Sequence, residues 1–415
     1  MAWSVVRRHA RSQGQGAQVA AAGKGRILEL DILRGAAILL VLAIHSPGGE
    51  NHQAGVLRPI DVFMHRFGWT GVDLFFVLSG FLIGGLLFNE IGKHGELNVG
   101  RFLMRRMLRI WPAYYFLLAV IFIRSSIDSH GHFRSAFASM WPGLVHIQNF
   151  KVVPRGQLWS LAIEEHFYLL LPLLLWLLLR GKGSSNRLHS IPRICVGLVV
   201  GCFVLRIVLV LTTTINIRYQ TYLCIDALFF GVTLAYLRVY RAALLERVAA
   251  TRGLLLASLV LFVPALIGGT IKDMIGYTCL YVGYALVLIR FMYPAHRGPM
   301  LSSWINSRSA RATAWIGTYS YSIYLWHFDT GWWGYDYSQR AARRLGLPET
   351  LVWVCHTIGW FAASIVTGVL LAKLIEVPVM RVRERLFPPA VATERRELHE
   401  PRWHGGAVFT DPDPA

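Results

Sequence analysis

Leu30-Asp31-Ile32-Leu33-Arg34-Gly35-Ala36-Ala37-Ile38-Leu39-Leu40-Val41-Leu42-Ala43-Ile44-His45 is apolar almost throughout, yet it carries an arginine and a histidine eleven positions apart. Ionisable groups inside a membrane-length apolar run are costly to bury and usually serve function. On an α-helix, eleven residues turn through roughly 1100°, about three full turns, so Arg34 and His45 share one face about 16 Å apart. That is near half the thickness of the hydrocarbon core. One helix therefore presents a fixed cation toward one membrane surface and a titratable imidazole toward the other.

The rest of the chain agrees with a membrane reading. Of 415 residues, 54% are hydrophobic and only 16% are charged, against roughly 25% charged in soluble domains. Apolar stretches of spanning length fall near 27–45, 68–89, 107–124, 158–179, 193–213, 220–239, 253–270, 274–293, 312–332 and 350–375. They predict an all-α polytopic membrane helix bundle of about ten transmembrane helices. The segment 136–150, with Met140-Trp141-Pro142-Gly143, is too short and broken to span and reads as interfacial or re-entrant. Lysine and arginine concentrate in the alternate loops that are cytosolic if the N-terminus is, which predicts an N-in, C-in topology. Residues 1–26 and 386–415 read as disordered cytosolic tails around a membrane domain at 27–385. The polar start has no apolar core before a small-residue cleavage site, so no signal peptide is expected.

The net charge of +19 sits at the ends of apolar spans and not on one amphipathic face, which argues for a lipid bilayer and against nucleic acid as partner. Cys195, Cys202, Cys224, Cys279 and Cys355 lie in or beside apolar runs with no CxxC spacing, so they read as small buried hydrophobes. No metal site is expected.

Placed in this topology, five helices deliver acids or histidines to the outer half of the membrane: His45, Asp73, Glu164 with Glu165, Asp226 and His327. Each alone suits an interfacial or capping residue. Together they predict a shared polar cavity. On the cytosolic side Arg101, Arg105, Arg106 and Arg109 precede Ile110-Trp111-Pro112-Ala113-Tyr114-Tyr115. They serve equally as positive-inside anchors or as an anion mouth, since a helix would set Arg105 or Arg106 beside Arg109 as a phosphate clamp, with Arg34 nearby.

Taken together these strings resemble acyltransferase family 3, integral membrane proteins that O-acylate acceptors at the cell envelope. The resemblance covers about 27–385. It rests on Arg34 with His45; Phe75, Phe76, Ser79 and Gly80; Arg106, Arg109, Pro112 and Tyr114; Trp159, Ser160, Leu161, Glu164, Phe167 and Tyr168; Ser320, Tyr321, Tyr324, Leu325 and His327; and Glu376 with Pro378. Two positions depart from the family pattern. Cys224 stands where an arginine commonly precedes the Asp226 position by two, so Arg218 or Arg206 would have to pair Asp226, and His166 stands where glutamine is frequent. The chain is similar to the stand-alone form, without an extracytoplasmic hydrolase-like domain.

The resemblance implies a multi-pass protein of the cytoplasmic (inner) membrane. It would move an acyl group, expected to be acetyl, from cytosolic acyl-CoA to a hydroxyl of a glycan, glycolipid or other acceptor. Arg34, Arg105, Arg106 and Arg109 would hold the anionic nucleotide, and the pantetheine arm would span the rise from Arg34 to His45. His45 would act as general base or as a transient acyl carrier. Glu164 or Glu165 would orient the imidazole, bind the sugar or relay the proton. Ser79 and Tyr324 would donate to the thioester oxygen. Asp73, Trp159, Tyr168, Asp226, Tyr321 and His327 would support the site or the substrate. From residues alone, a proton-coupled secondary transporter is the alternative, but no internal repeat is visible and a carrier gives no reason for an arginine-rich mouth.

Overall fold

In a computed structural model the described residues are 27–47, 52–128, 133–151, 156–180, 188–213 and 217–388. Among them every regular element is helical. The expected tails at 1–26 and 386–415 lie outside the described residues, except for 386–388.

The first helix, α1 (Leu28–His45), has Glu29 and Asp31 in its first turn and His45 in its last, an order that suits the helix dipole. It stops at Ser46, which turns to extended backbone and donates its hydroxyl to the Ala43 carbonyl at 2.8 Å. A short helix, α2 (Arg58–Phe67), leads into α3 (Gly71–His94), which ends at Gly95 in the left-handed region, φ 73°. Next come α4 (Val99–Asp128), α5 (Phe133–Leu144), α6 (Trp159–Leu179), α7 (Ile191–Thr212) and α8 (Thr221–Tyr240). After these, α9 (Ala242–Ala250) meets α10 (Leu254–Ile267) at a bend of 87°. A π-helical turn over Lys272–Gly276 opens α11 (Tyr277–Met292). The chain closes with α12 (Pro299–Ile305), α13 (Arg308–Thr318), α14 (Ser320–Arg344), α15 (Glu349–Leu371), a π turn over Ala372–Glu376 and α16 (Val377–Leu386).

Among the described residues seven helices are long and apolar enough to cross a membrane, or eight if the bent pair α9–α10 is one span. Neither α1 nor α14 is among them. α1 carries Glu29, Asp31 and Arg34 within 18 residues, and α14 is rich in aromatic and polar side chains. The stretch expected at 312–332 is two elements, because the backbone breaks at Tyr319 between α13 and α14. The segment expected to be interfacial or re-entrant is α5, tied to α4 by Tyr114 and Tyr115, whose hydroxyls donate to the Gly143 and Leu144 carbonyls at 2.8 and 3.0 Å.

Small residues set the helix spacing that positions the site. Where α3 crosses α8, a Cβ on Gly80 would strike the Leu228 carbonyl oxygen, and one on Gly231 would strike that of Val77. Where α1 crosses α13, Gly35 and Gly317 meet the Thr313 and Asp31 carbonyls in the same way. Such backbone-to-backbone approach is the usual route to tight packing in lipid. It fixes α1 and α3, which carry Arg34, His45 and Ser79, against the rest of the bundle.

Candidate active site

A cavity of about 340 Å³ opens between α1, α3, α4, α6 and α14, near the small end of the ~300–1,000 Å³ common for ligand pockets. Its wall is partly apolar (Phe75, Phe76, Leu82, Ile110) and partly ionisable (Arg34, Arg106, Arg109, Glu164, Glu165, Tyr168). The cations and acids expected at opposite membrane faces thus line one space. Glu164 is held on both oxygens, Oε1 accepting from Ser79 at 3.1 Å and Oε2 from Tyr168 at 2.6 Å. Glu165 accepts from the Trp111 indole at 3.3 Å. Arg34 leans toward Asp31, one turn back, at 3.8 Å. The Arg106 guanidinium stands over the Tyr168 and Phe102 rings at 5.8 and 5.7 Å. Among the described residues neither Arg106 nor Arg109 has a carboxylate within 4.0 Å. Tyr321 also lines the cavity and donates to the Ile110 carbonyl at 2.8 Å.

The arginine stripe divides. Arg105, expected to join the anion mouth, is absent from the cavity wall. It points to α16, pairing with Glu384 at 3.1 Å and donating to the Phe387 carbonyl. A rotation of about 100° between neighbours on a helix separates Arg105 from Arg106.

The histidines form a second locus. His45 Nδ1 lies 3.0 Å from the Val41 carbonyl and 3.2 Å from His327 Nε2, while His327 Nδ1 lies 2.7 Å from the Tyr324 carbonyl. A carbonyl only accepts, so each neutral ring carries its proton on Nδ1. His327 Nε2 then accepts from His45 Nδ1, and the His45 Nε2 lone pair is left for other chemistry. Phe328 packs on the His45 ring at 4.6 Å. The end of α1 is braced by Trp360, which donates to the Leu42 carbonyl at 2.9 Å, and by His65, whose Nε2 lies 2.9 Å from the Ser46 carbonyl. Neither His45 nor His327 lines the cavity. Tyr324 links the cavity to the histidine pair, lining the cavity and accepting from His327 at its carbonyl. Its hydroxyl donates to the Gln157 carbonyl at 2.5 Å and accepts from Ser160 at 2.6 Å.

Asp73 and Asp226 belong to neither locus. Asp73 pairs with Arg218 at 2.9 Å, and that guanidinium sits among the rings of Trp69, Trp159 and Tyr277 at 4.8–5.2 Å. Asp226 pairs with Arg206 at 2.5 Å, both buried. The single polar cavity expected to gather His45, Asp73, Glu164, Glu165, Asp226 and His327 is therefore four separate arrangements: the glutamates in the cavity, the histidine pair, and two separate ion pairs. The cation needed opposite Asp226 in place of Cys224 is Arg206. Arg218, the other candidate, serves Asp73. Trp111 and His65 carry no signal in the sequence, since an aromatic or histidine beside an apolar run has no distinctive spacing. Among the described residues no three His, Cys, Asp or Glu side chains gather as a metal set.

The family model described as acyltransferase domain matches residues 27–375. The chain is similar to the peptidoglycan O-acetyltransferase OatA of Listeria monocytogenes, 27% identical over 378 residues, covering 85% of this chain and 55% of that protein. It is similar to the O-acetyltransferase OatA of Staphylococcus aureus, 27% identical over 63% of this chain and 45% of that one. It also resembles the putative peptidoglycan O-acetyltransferase YrhL of Bacillus subtilis, 28% identical over 68% and 48%. The chain spans about half the length of these curated relatives. No solved structure matches it. The match over 27–375 takes in the helices that build the cavity and the histidine pair, and on that ground the chain belongs to the acyltransferase domain family.

Proposed function

We propose that the protein is a membrane O-acetyltransferase of the cytoplasmic membrane, with both ends of the bundle cytosolic. It takes an acetyl group from cytosolic acetyl-CoA and places it on a hydroxyl of a cell-envelope glycan. Peptidoglycan is the first acceptor to test, because two of the relatives are named for it.

The observation that carries this reading is the state of His45. Its Nδ1–H is committed to Val41 and His327, so Nε2 is unprotonated at one end of the helix whose other end puts Arg34 into the cavity. The anionic nucleotide stays at the mouth, held by Arg34, Arg106 and Arg109, because 340 Å³ suits a thin thioester arm better than a nucleotide. The arm passes Tyr324 to reach His45. There Nε2 takes the proton of the acceptor hydroxyl as its oxygen attacks the thioester carbon. The carbon–sulfur bond breaks, and the departing CoA thiolate takes that proton back from the imidazolium. Ester and free CoA thiol leave with atoms and charge balanced. Glu164, fixed by Ser79 and Tyr168, and Glu165, fixed by Trp111, shape the cavity and face its guanidinium groups. Ser79 and Tyr324 spend their hydroxyl protons on Glu164 and Gln157, so a donor role toward the thioester oxygen requires those bonds to open.

The test is release of CoA thiol from acetyl-CoA by protein in lipid nanodiscs, with and without peptidoglycan glycan strands. Release that requires acceptor and disappears in His45→Ala supports the reading. Absence of release from acetyl-CoA in the presence of any envelope glycan overturns it and returns the carrier alternative to the bench.

A further inference from the structure

The surroundings of His45 are packed on every side but one. Val41, Leu42, His327 and Trp360 are 0% exposed, and Ser46 is 5% exposed. His45 itself is only half-buried, and so is Phe328. The Phe328 ring lies across both histidines. Its centroid is 4.6 Å from that of His45, at an interplanar angle of 56°, and 4.9 Å from that of His327, at 53°. The backbone fixes it there, because Phe328 follows His327 directly and α14 runs on to Arg344. The Nδ1 side of His45 is turned to Val41 and His327. An imidazole is small, so a centroid distance of 4.6 Å keeps Phe328 within van der Waals reach of a group held at the free Nε2.

We propose that Phe328 determines the size of the acyl group: its ring fills the space beside the reacting carbonyl carbon, so the site takes acetyl and rejects longer chains. The proposal rests on the transferase reading above. Three features support it. The ring touches the very imidazole on which the donor and the acceptor hydroxyl converge. The other neighbours cannot yield, since His327 is held through both ring nitrogens and Trp360 is tied to the Leu42 carbonyl. A dense interior accepts extra methylenes only at a cost, so a longer acyl chain must displace Phe328. The ring is also apolar and half-exposed, which suits contact with a hydrocarbon stub and gives no hydrogen bond to a sugar. The chemical step is the same for any donor length. The acceptor oxygen forms the ester bond, the carbon–sulfur bond breaks, and CoA leaves as the thiol. Only the room around the acyl carbon differs.

The experiment compares kcat/KM for acetyl-CoA and butyryl-CoA in the thiol-release assay, with the full chain in nanodiscs and peptidoglycan glycan strands as acceptor. In wild type, acetyl-CoA should lead by roughly 100-fold. In Phe328→Ala that ratio should fall by about tenfold or more. Butyryl-CoA should gain, and acetyl-CoA should lose several-fold because the small group is held less firmly. Phe328→Leu should fall between the two, and it decides in the same way if Phe328→Ala does not fold. Trp333→Ala, on the same helix but 69% exposed, controls for disturbance of α14 and should keep the wild-type ratio. Equal use of both donors by wild type overturns the proposal. So does a ratio left unmoved by Phe328→Ala and Phe328→Leu, or a change confined to the acceptor KM, which would mark the ring as an acceptor contact. Thiol release from acetyl-CoA with an unmoved ratio removes only this assignment. No release from either donor by wild type removes the transferase reading, and this inference with it.

Discussion

Two kinds of arginine stand within one bundle, and their surroundings differ. Arg206 and Arg218 are enclosed, each against one aspartate, with Arg206 fully buried and Asp226 2% exposed by side chain. Arg106 and Arg109 face a cavity with no carboxylate within ion-pair distance among the described residues. An enclosed pair satisfies itself and holds helices together, and breaking it strands a charge in a medium that cannot solvate it. A cation facing open space keeps its hydrogen-bonding capacity for something that arrives. The same residue type thus closes a buried ion pair on α7 and faces an open cavity on α4.

The comparison can be broken most severely at Asp226. Asp226→Leu leaves Arg206 buried and unpaired and should cost about 3–5 kcal/mol, read as a large loss of melting temperature and of membrane yield. The double change Arg206→Met with Asp226→Leu should recover most of it. A mild effect of the single change would place the pair among the polarisable, ligand-facing charges instead. His45→Ala comes next. It should lower transfer by roughly 10³-fold, about 4 kcal/mol in the barrier, with a melting temperature near wild type, because the end of α1 stays braced by Trp360 and His65. Activity within tenfold of wild type would remove the base assignment.

Arg106→Ala should act only through the donor, raising the acetyl-CoA KM about tenfold, ~1.4 kcal/mol, with little change in stability. If it destabilises the protein as much as Asp226→Leu, the distinction between the two arginine classes fails. Arg105→Ala should be weakest. Its partner Glu384 is 42% exposed by side chain, and exposed pairs contribute about 0–1 kcal/mol. The donor KM should not move, and a rise equal to that of Arg106→Ala would put Arg105 back at the mouth.

How far these assignments are legible from sequence varies with the residue. Arg34 and His45 are joined by the helical period of one segment, and the structure keeps them on one helix. The division of Arg105 from Arg106 has no such signature, since both satisfy clamp spacing with Arg109. That Glu164 shares a cavity with Arg34 and Arg106 has no signature in the sequence either, because it depends on the stagger of α6 against α1 and α4. Asp73 and Asp226 look like site acids in sequence because their arginines lie 145 and 20 positions away.

From the sequence alone come a helical membrane bundle, the approximate extents of several of its long helices, the shared face of Arg34 and His45, and the motif strings that mark the family. All are properties of single segments, where hydrophobic length and the 3.6-residue period suffice. Only the tertiary structure decided which acids meet which cations, that Tyr324 links cavity and histidines, and which imidazole nitrogen of His45 is free. Those depend on helix rotation and stagger, set where backbones close on one another at Gly80 with Gly231 and at Gly35 with Gly317, and no one segment encodes its neighbour's register.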